Sequence, residues 1–219
     1  AGGWTDVPPF SAEVGGAVVN AAINRYAYVS VHLREDQRVR IYSADYDVTV
    51  DAPGFEHLRY DGQLDLVKAA IRRLDVRQGL ELFVRCDAPP GSGAGSSAAV
   101  GVALLGLLNL LQTARLSVHE IAALANRLEI EELHNAGGKQ DQYAAALGGI
   151  CFMEFVDPCV TASHLELPAS TIAELEKHLI LCYTGKSRIS GNIIERVMGA
   201  YQRGVTTTVQ ALHRLKTIA

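Results

Sequence analysis

The chain predicts an α+β fold, on three observations. Segments with strand character stand both before and after the helical ones, and no regular βαβ alternation runs through the 219 residues. A glycine-rich turn also joins one strand directly to an apolar helix. In chain order, Gly16 to Leu33 ("GAVVNAAINRYAYVSVHL") is rich in Val, Ile and Tyr and predicts two strands or one long bent strand. "RVRIYS" and "VTVD" continue the β pattern. "LDLVKAAIRRL", Leu64 to Leu74, sets apolar residues on one helical face and basic residues on the other. "GLELFVRCDAPP" is a strand that runs into the glycine turn. The helix from Ser96 to Leu111 is apolar almost all round and is expected to be buried.

Ser117 and Glu120 form an S-x-x-E capping box that starts a helix reaching about Leu133. "NAGGKQDQY" breaks that helix, "AAAL" forms a turn of another, and "GICFMEF" is a strand. Thr171 and Glu174 make a second capping box, "LILCYTG" reads as a buried strand, and the remainder is helical.

With 48% hydrophobic and 20% charged residues, the composition is that of a soluble globular protein with a substantial core. A net charge of -4 without a dense Lys/Arg tract argues against nucleic-acid binding. The longest apolar run, Ala98 to Leu111, is too short to span a bilayer, and no basic-then-apolar leader opens the chain. Cys86, Cys151, Cys159 and Cys182 show no C-x-x-C spacing, so reduced, buried thiols and a cytoplasmic location are expected. Neither end reads as the end of a complete protein, and the chain is treated as a fragment.

"PPGSGAGSSAA" alternates Gly91, Gly93 and Gly95 with small residues just before a helix begins at Ser96. A helix N-terminus presents free N–H groups and the positive end of its dipole, and glycines let the backbone wrap an anion closely. The alternative is a flexible turn capped by serine. Spacing excludes a dinucleotide fingerprint, which needs glycine where Ser96 stands, and a Walker A loop, which needs Gly-Lys-Ser/Thr.

This loop resembles the second motif of the GHMP kinases, with Ala94 where that superfamily usually carries Leu. The resemblance implies ATP and Mg2+ as cofactors. It implies that Pro90, Gly91, Ser92, Gly93, Ala94, Gly95, Ser96 and Ser97 hold the triphosphate, with the Ser97 hydroxyl near magnesium. "GGKQDQYAAALGG" is similar to the segment of the sugar kinases that holds their catalytic aspartate, which implies Asp141, in a glycine-flanked loop, as base or orienter of the acceptor hydroxyl. Read without that likeness, Asp141 is a cap or a solvated turn residue. Glu129 corresponds to the family's magnesium-binding glutamate, with Leu128 and Ile130 departing from the Ile-Glu-Arg-Glu pattern; a solvated helix acid is the alternative. Lys139 either neutralises phosphate or is a surface lysine.

"AGGWTDVPPF" resembles the opening of the D-glycero-D-manno-heptose 7-phosphate kinases, and its "GGWTD" also occurs in fucokinases. Asp6 and Thr5 are thereby implied in contacts with sugar hydroxyls, and Trp4 either stacks on the sugar or fills core. In "YTGKSRISGNII", Lys186 and Arg188 make a cationic cluster suited to a phosphate already on the sugar, although Arg188 can equally pair with Glu195. The implied activity is transfer of phosphate to the anomeric hydroxyl of heptose 7-phosphate. A fucokinase-like enzyme and a non-catalytic sugar- and ATP-sensing homologue are the alternatives. The implied architecture is a domain resembling ribosomal protein S5 domain 2 over residues 1–165 and the start of a truncated, ferredoxin-like domain over 166–219. No membrane partner is implied, and the oligomeric state is left open.

Overall fold

The computed structural model describes residues 1–180, 182, 185 and 190–219. A four-residue helix, α1 (Phe10–Glu13), precedes the first strand. The Val- and Tyr-rich opening forms two strands, β1 (Gly16–Ala21) and β2 (Ala27–Leu33), which enter different sheets. Strands β3 (Val39–Ser43) and β4 (Val48–Ala52) form an antiparallel hairpin. Helix α2 (Asp65–Arg73) then crosses over to β5 (Leu80–Cys86), which pairs parallel to β3 and antiparallel to β2. The result is a four-stranded sheet of order β2-β5-β3-β4.

Helices α3 (Ser96–Asn109), α4 (Val118–Arg127) and α5 (Gln140–Leu147) follow, with a π-helical segment, Leu128–Glu132, ending α4. A hairpin of β6 (Ile150–Val156) and β7 (Cys159–His164) joins β1 in a second, antiparallel sheet of order β1-β6-β7. Helices α6 (Ala169–His178), α7 (Ser190–Gln202) and α8 (Thr206–Ile218) complete the described chain. One mixed and one antiparallel sheet with segregated helices make this the expected α+β architecture. Among the described residues no helix is long and apolar enough to cross a membrane.

The main core lies where α2 and α3 cover the four-stranded sheet, with Ile41, Leu80, Leu82, Leu104, Leu105 and Leu108 fully buried. Helix α3 carries glycine and alanine among its leucines, so it packs closely without a polar face. Leu104→Ala is expected to cost about 2–5 kcal/mol, from lost transfer energy plus the cavity left behind. In a denaturant titration its midpoint should fall with the slope unchanged. A second core lies under the three-stranded sheet around Met153 and Phe155, and a third joins α1 to α7 and α8 around Phe10, Met198 and Leu212.

Several sequence expectations are corrected. Lys68 lies on the buried side of α2 at 1% exposure: its stem is enclosed, and its ammonium meets Asp61 and, at 3.2 Å, Asp65. The Ser117–Glu120 capping box forms in full, but the Thr171–Glu174 box does not. Pro168 adopts extended backbone at the N-cap, so α6 starts before Thr171, and Glu174 pairs instead with Lys177 and His178. "LILCYTG" does not begin as a buried strand, since Leu179 and Ile180 are exposed; Leu181, Tyr183 and Thr184 lie outside the described residues. Of the four free thiols only Cys151 is buried, while Cys86 is half-buried and Cys159 and Cys182 are exposed. The hairpin partner β7 has no clear sequence signature, because its "CVTASH" is short and largely exposed.

Candidate active site

The glycine turn adopts the conformation its composition allows. Gly91, Gly93 and Gly95 have φ of +68°, +79° and +68°, in the left-handed region that residues with a Cβ rarely occupy. Gly95 is the N-cap of the 14-residue α3 and supplies no capping side chain, so the first-turn N–H groups at Ser96 and Ser97 lack an intrahelical acceptor. The Ser92 hydroxyl oxygen is enclosed and has no hydrogen-bond partner among the described residues. A positive helix end, three left-handed glycines and an orphaned hydroxyl make a cradle that suits an anion.

Beside the cradle lies a cleft of about 380 Å³. Pro90, Gly91, Ser96 and Ser97 line one side, and the apolar Val48, Leu66, Val84, Val100 and Leu133 line much of the rest. Such a slot suits a flat, mostly apolar ring attached to the anion.

Two carboxylates, Asp141 and Glu129, converge on the same region. Asp141 stands in the first turn of α5, not in a loop as the flanking glycines suggested. Its side chain lies against Gly95: a Cβ built there would sit 3.3 Å from the Asp141 Cγ and 3.4 Å from Oδ2. Water reaches this carboxylate from one side, while protein atoms crowd the others. That crowding raises its pKa, and the negative charge of Asp6 raises it further. Among the described residues, Asp141 has no ion-pair or hydrogen-bond partner for its carboxylate.

Glu129 is carried on the π-helical segment, a wide turn of a kind frequent at functional sites. The Ser97 hydroxyl donates to its Oε1, and the Gln142 amide donates to its Oε2 at 2.7 Å. Desolvation pushes its pKa up, the Ser97 bond opposes this, and Asp141 adds to the rise. Among the described residues, Glu129 has no cationic partner. A crowded carboxylate without a counter-ion, touching a hydroxyl at the mouth of an anion cradle, is an oxygen donor set that fits a hard divalent cation.

The remaining candidates are placed differently. Asp6 is fully buried, its Oδ2 accepting from the Gln140 backbone N–H at 3.0 Å and its Oδ1 from the Gln140 side chain at 3.1 Å. Thr5 is fully buried too; its hydroxyl donates to the Gly2 or Ala17 carbonyl and accepts from the Ala17 N–H, which leaves no hydroxyl for a ligand. Lys139 pairs with Asp157 and the Pro158 carbonyl rather than the cradle. Trp4 packs in the cluster of α1, α7 and α8, which favours its core reading. Lys186 and Arg188 lie outside the described residues.

Two residues of the site were not read from the sequence. Gln142 fixes Glu129, and Asn126 donates to the Gly138 carbonyl at 2.7 Å, holding the entry to α5. Glutamines on either side of Asp141 in "KQDQY" were the one visible signal.

The phosphate-type cradle and carboxylates therefore sit on an α+β scaffold, and comparison with known proteins shows what the chain is similar to. Residues 65–149 match the family described as the GHMP kinases N terminal domain, and the glycine turn, Glu129 and Asp141 all fall within that stretch. Over 222 residues the chain is 32% identical to the D-glycero-alpha-D-manno-heptose 7-phosphate kinase of Campylobacter jejuni, covering 99% of this chain and 65% of that protein. A solved D-glycero-D-manno-heptose 1-phosphate kinase from Bacteroides thetaiotaomicron superposes with a TM-score of 0.75 at 34% identity, covering 80% of this chain and 60% of the other. The bifunctional fucokinase/GDP-fucose pyrophosphorylase of Arabidopsis thaliana is 27% identical across 100% of this chain, which corresponds to 22% of that protein. The chain thus spans under two thirds of the heptose kinase from Campylobacter jejuni and of the solved heptose kinase.

Proposed function

We propose that the protein is an ATP-dependent sugar kinase that phosphorylates the anomeric hydroxyl of D-glycero-D-manno-heptose 7-phosphate. The observation that carries this reading is an accessible carboxylate, Asp141, pressed against Gly95 at the N-terminus of α3 and unpartnered among the described residues. Among the described residues, Asp141 serves no structural bond of its own. Phosphoryl transfer needs such a group beside the phosphate cradle.

In this reading Pro90, Gly91, Ser92, Gly93, Ala94, Gly95, Ser96 and Ser97 surround the triphosphate, and the apolar cleft takes the base of ATP. Asp141 accepts the proton of the anomeric hydroxyl as its oxygen bonds to the γ-phosphorus and the bond to the β-phosphate oxygen breaks, releasing ADP. Ser97 and Glu129 would hold Mg2+, with Gln142 keeping the glutamate in place. Magnesium bound there offsets the charge of the phosphate oxygens. Residues 1–165 then form the nucleotide-binding domain and 166–219 begin the next. The supply of MgATP places the reaction in the cytoplasm.

Heptose is favoured over fucose on two grounds. Likeness to the heptose kinase exceeds that to the fucokinase, and Trp4, the residue that pointed to fucose, is packed among apolar side chains. Lys186 and Arg188 are the proposed clamp for the 7-phosphate, so Arg188→Ala should raise KM for the phosphorylated heptose about tenfold or more while KM for ATP is unchanged. The reading is tested by following ADP release from the full-length protein with MgATP and a panel of sugars and sugar 7-phosphates. Turnover on heptose 7-phosphate and not on fucose is expected. Turnover on fucose alone overturns the substrate, and bound ATP without turnover on any sugar overturns the kinase.

A further inference from the structure

Part of the wall of the cleft assigned above to the base of ATP is a short loop: residues 62–67, which lead into α2 and open it, all line that cleft. Leu64 stands at the N-cap of α2 with φ +52° and ψ +33°, a left-handed conformation that a bulky side chain rarely adopts. Such a turn persists only where its surroundings fix it. Here the fixing groups are charged. Asp65 accepts from the backbone N–H of Asp61 at 3.2 Å and of Gly62 at 2.8 Å, and Asp61 accepts from that of Gln63 at 3.0 Å. One ammonium joins the two carboxylates: Lys68 donates to Asp61 and, at 3.2 Å, to Asp65. That ammonium holds the Asp61 carboxyl below its usual range. The outer end of the loop is tied as well, by the Tyr60 hydroxyl, which donates to Glu132 Oε2 at 2.5 Å.

We infer that Lys68 is a positioning residue for the nucleotide: it locks the loop of residues 61–65 against the base slot from behind, and so sets affinity for the base of ATP and not for its phosphates. Its neighbour Val67 lines the cleft, but Lys68 itself does not. At 1% exposure its side chain has left water, a costly state for a cation unless opposite charges meet it in one fixed arrangement. The two aspartates that meet it are the ones that hold the backbone of the loop. The phosphate cradle stands on a different segment, residues 90–97, so the two ends of the nucleotide fall to separable parts of the chain. This inference rests on the kinase reading for the identity of the ligand, but not for the lock itself.

The test is calorimetry on the full-length protein, with MgATP and with magnesium tripolyphosphate, which carries the phosphates and no base. Lys68→Met keeps the buried stem and removes the ammonium. It should weaken ATP about tenfold while tripolyphosphate stays within about twofold. Asp61→Ala alters an exposed side chain and gives the same split, so it carries the test should Lys68→Met not fold. Asp61→Asn keeps an acceptor for Lys68 and for the Gln63 N–H, and should bind ATP within about threefold of the wild type. Amide hydrogen exchange at Gly62 and Gln63 should quicken in Lys68→Met and Asp61→Ala. An unchanged ATP affinity in these two variants overturns the inference, as does an equal loss for ATP and tripolyphosphate, or unchanged exchange at both amides. Failure of the kinase reading has a different signature. The expected split, in a protein whose wild type phosphorylates no sugar, supports the lock and overturns only the kinase. A wild type that binds tripolyphosphate as tightly as ATP, or binds neither, removes the base slot and this inference with it.

Discussion

Asp141→Asn should abolish most turnover while leaving the protein folded and able to bind ATP. Asparagine keeps the shape of the side chain against Gly95 but cannot take up the acceptor proton, and general-base removal typically costs on the order of 10²–10⁴ in kcat. No stability should be lost, because the carboxylate makes no hydrogen bond or ion pair among the described residues. The sign of the charge effect points the same way. With its folded pKa raised above 3.8, Asp141 binds a proton more tightly folded than unfolded, so stability falls as pH rises from about 4 through the folded pKa. Asn removes that penalty, and the melting temperature should stay level or rise slightly. In the wild type the same shift places the acid limb of the rate profile above the ordinary aspartate range. Steady-state kinetics, a thermal melt and a nucleotide titration on one preparation check all three parts. Full turnover in Asp141→Asn would remove Asp141 from the chemistry.

Glu129→Gln should act through the metal. The substitution keeps the contact with Ser97 but removes the charge, and a divalent cation held largely by one carboxylate loses most of its electrostatic hold. Turnover at limiting magnesium is expected to fall on the order of 10²-fold, with partial recovery as magnesium is raised. Calorimetry supplies a readout independent of turnover. ATP binding without magnesium should be unchanged or slightly tighter, because the carboxylate near the phosphates is gone, whereas the gain in affinity on adding magnesium should shrink. Equal magnesium dependence in mutant and wild type would exclude Glu129 as a ligand.

Much of this centre was legible from local chemistry. The left-handed conformations of Gly91, Gly93 and Gly95 follow from residue type, and the start of α4 follows from Ser117 and Glu120. What escaped depends on long-range burial. Thr5, Asp6 and Lys139 have the donors and acceptors of a sugar or phosphate site, yet each is committed to the protein itself by contacts with residues 12, 134 and 18 positions away. Lys68 likewise followed the basic face of its helix in sequence but is enclosed in the fold, where two aspartates meet it. The two glycines shortly before Asp141 suggest a loop, whereas α5 begins at Gln140, whose N–H is met by the Asp6 carboxylate from the far end of the chain. Sequence periodicity reports local preference, and only the folded arrangement reveals which polar groups are already satisfied.

The most direct test is phosphorus NMR of the full-length protein mixed with MgATP and D-glycero-D-manno-heptose 7-phosphate. The account predicts one ADP formed for each new phosphate resonance, with that phosphorus coupled to the anomeric proton and the 7-phosphate signal retained. ADP accompanied only by inorganic phosphate, or ATP left intact in the presence of the sugar, would contradict it.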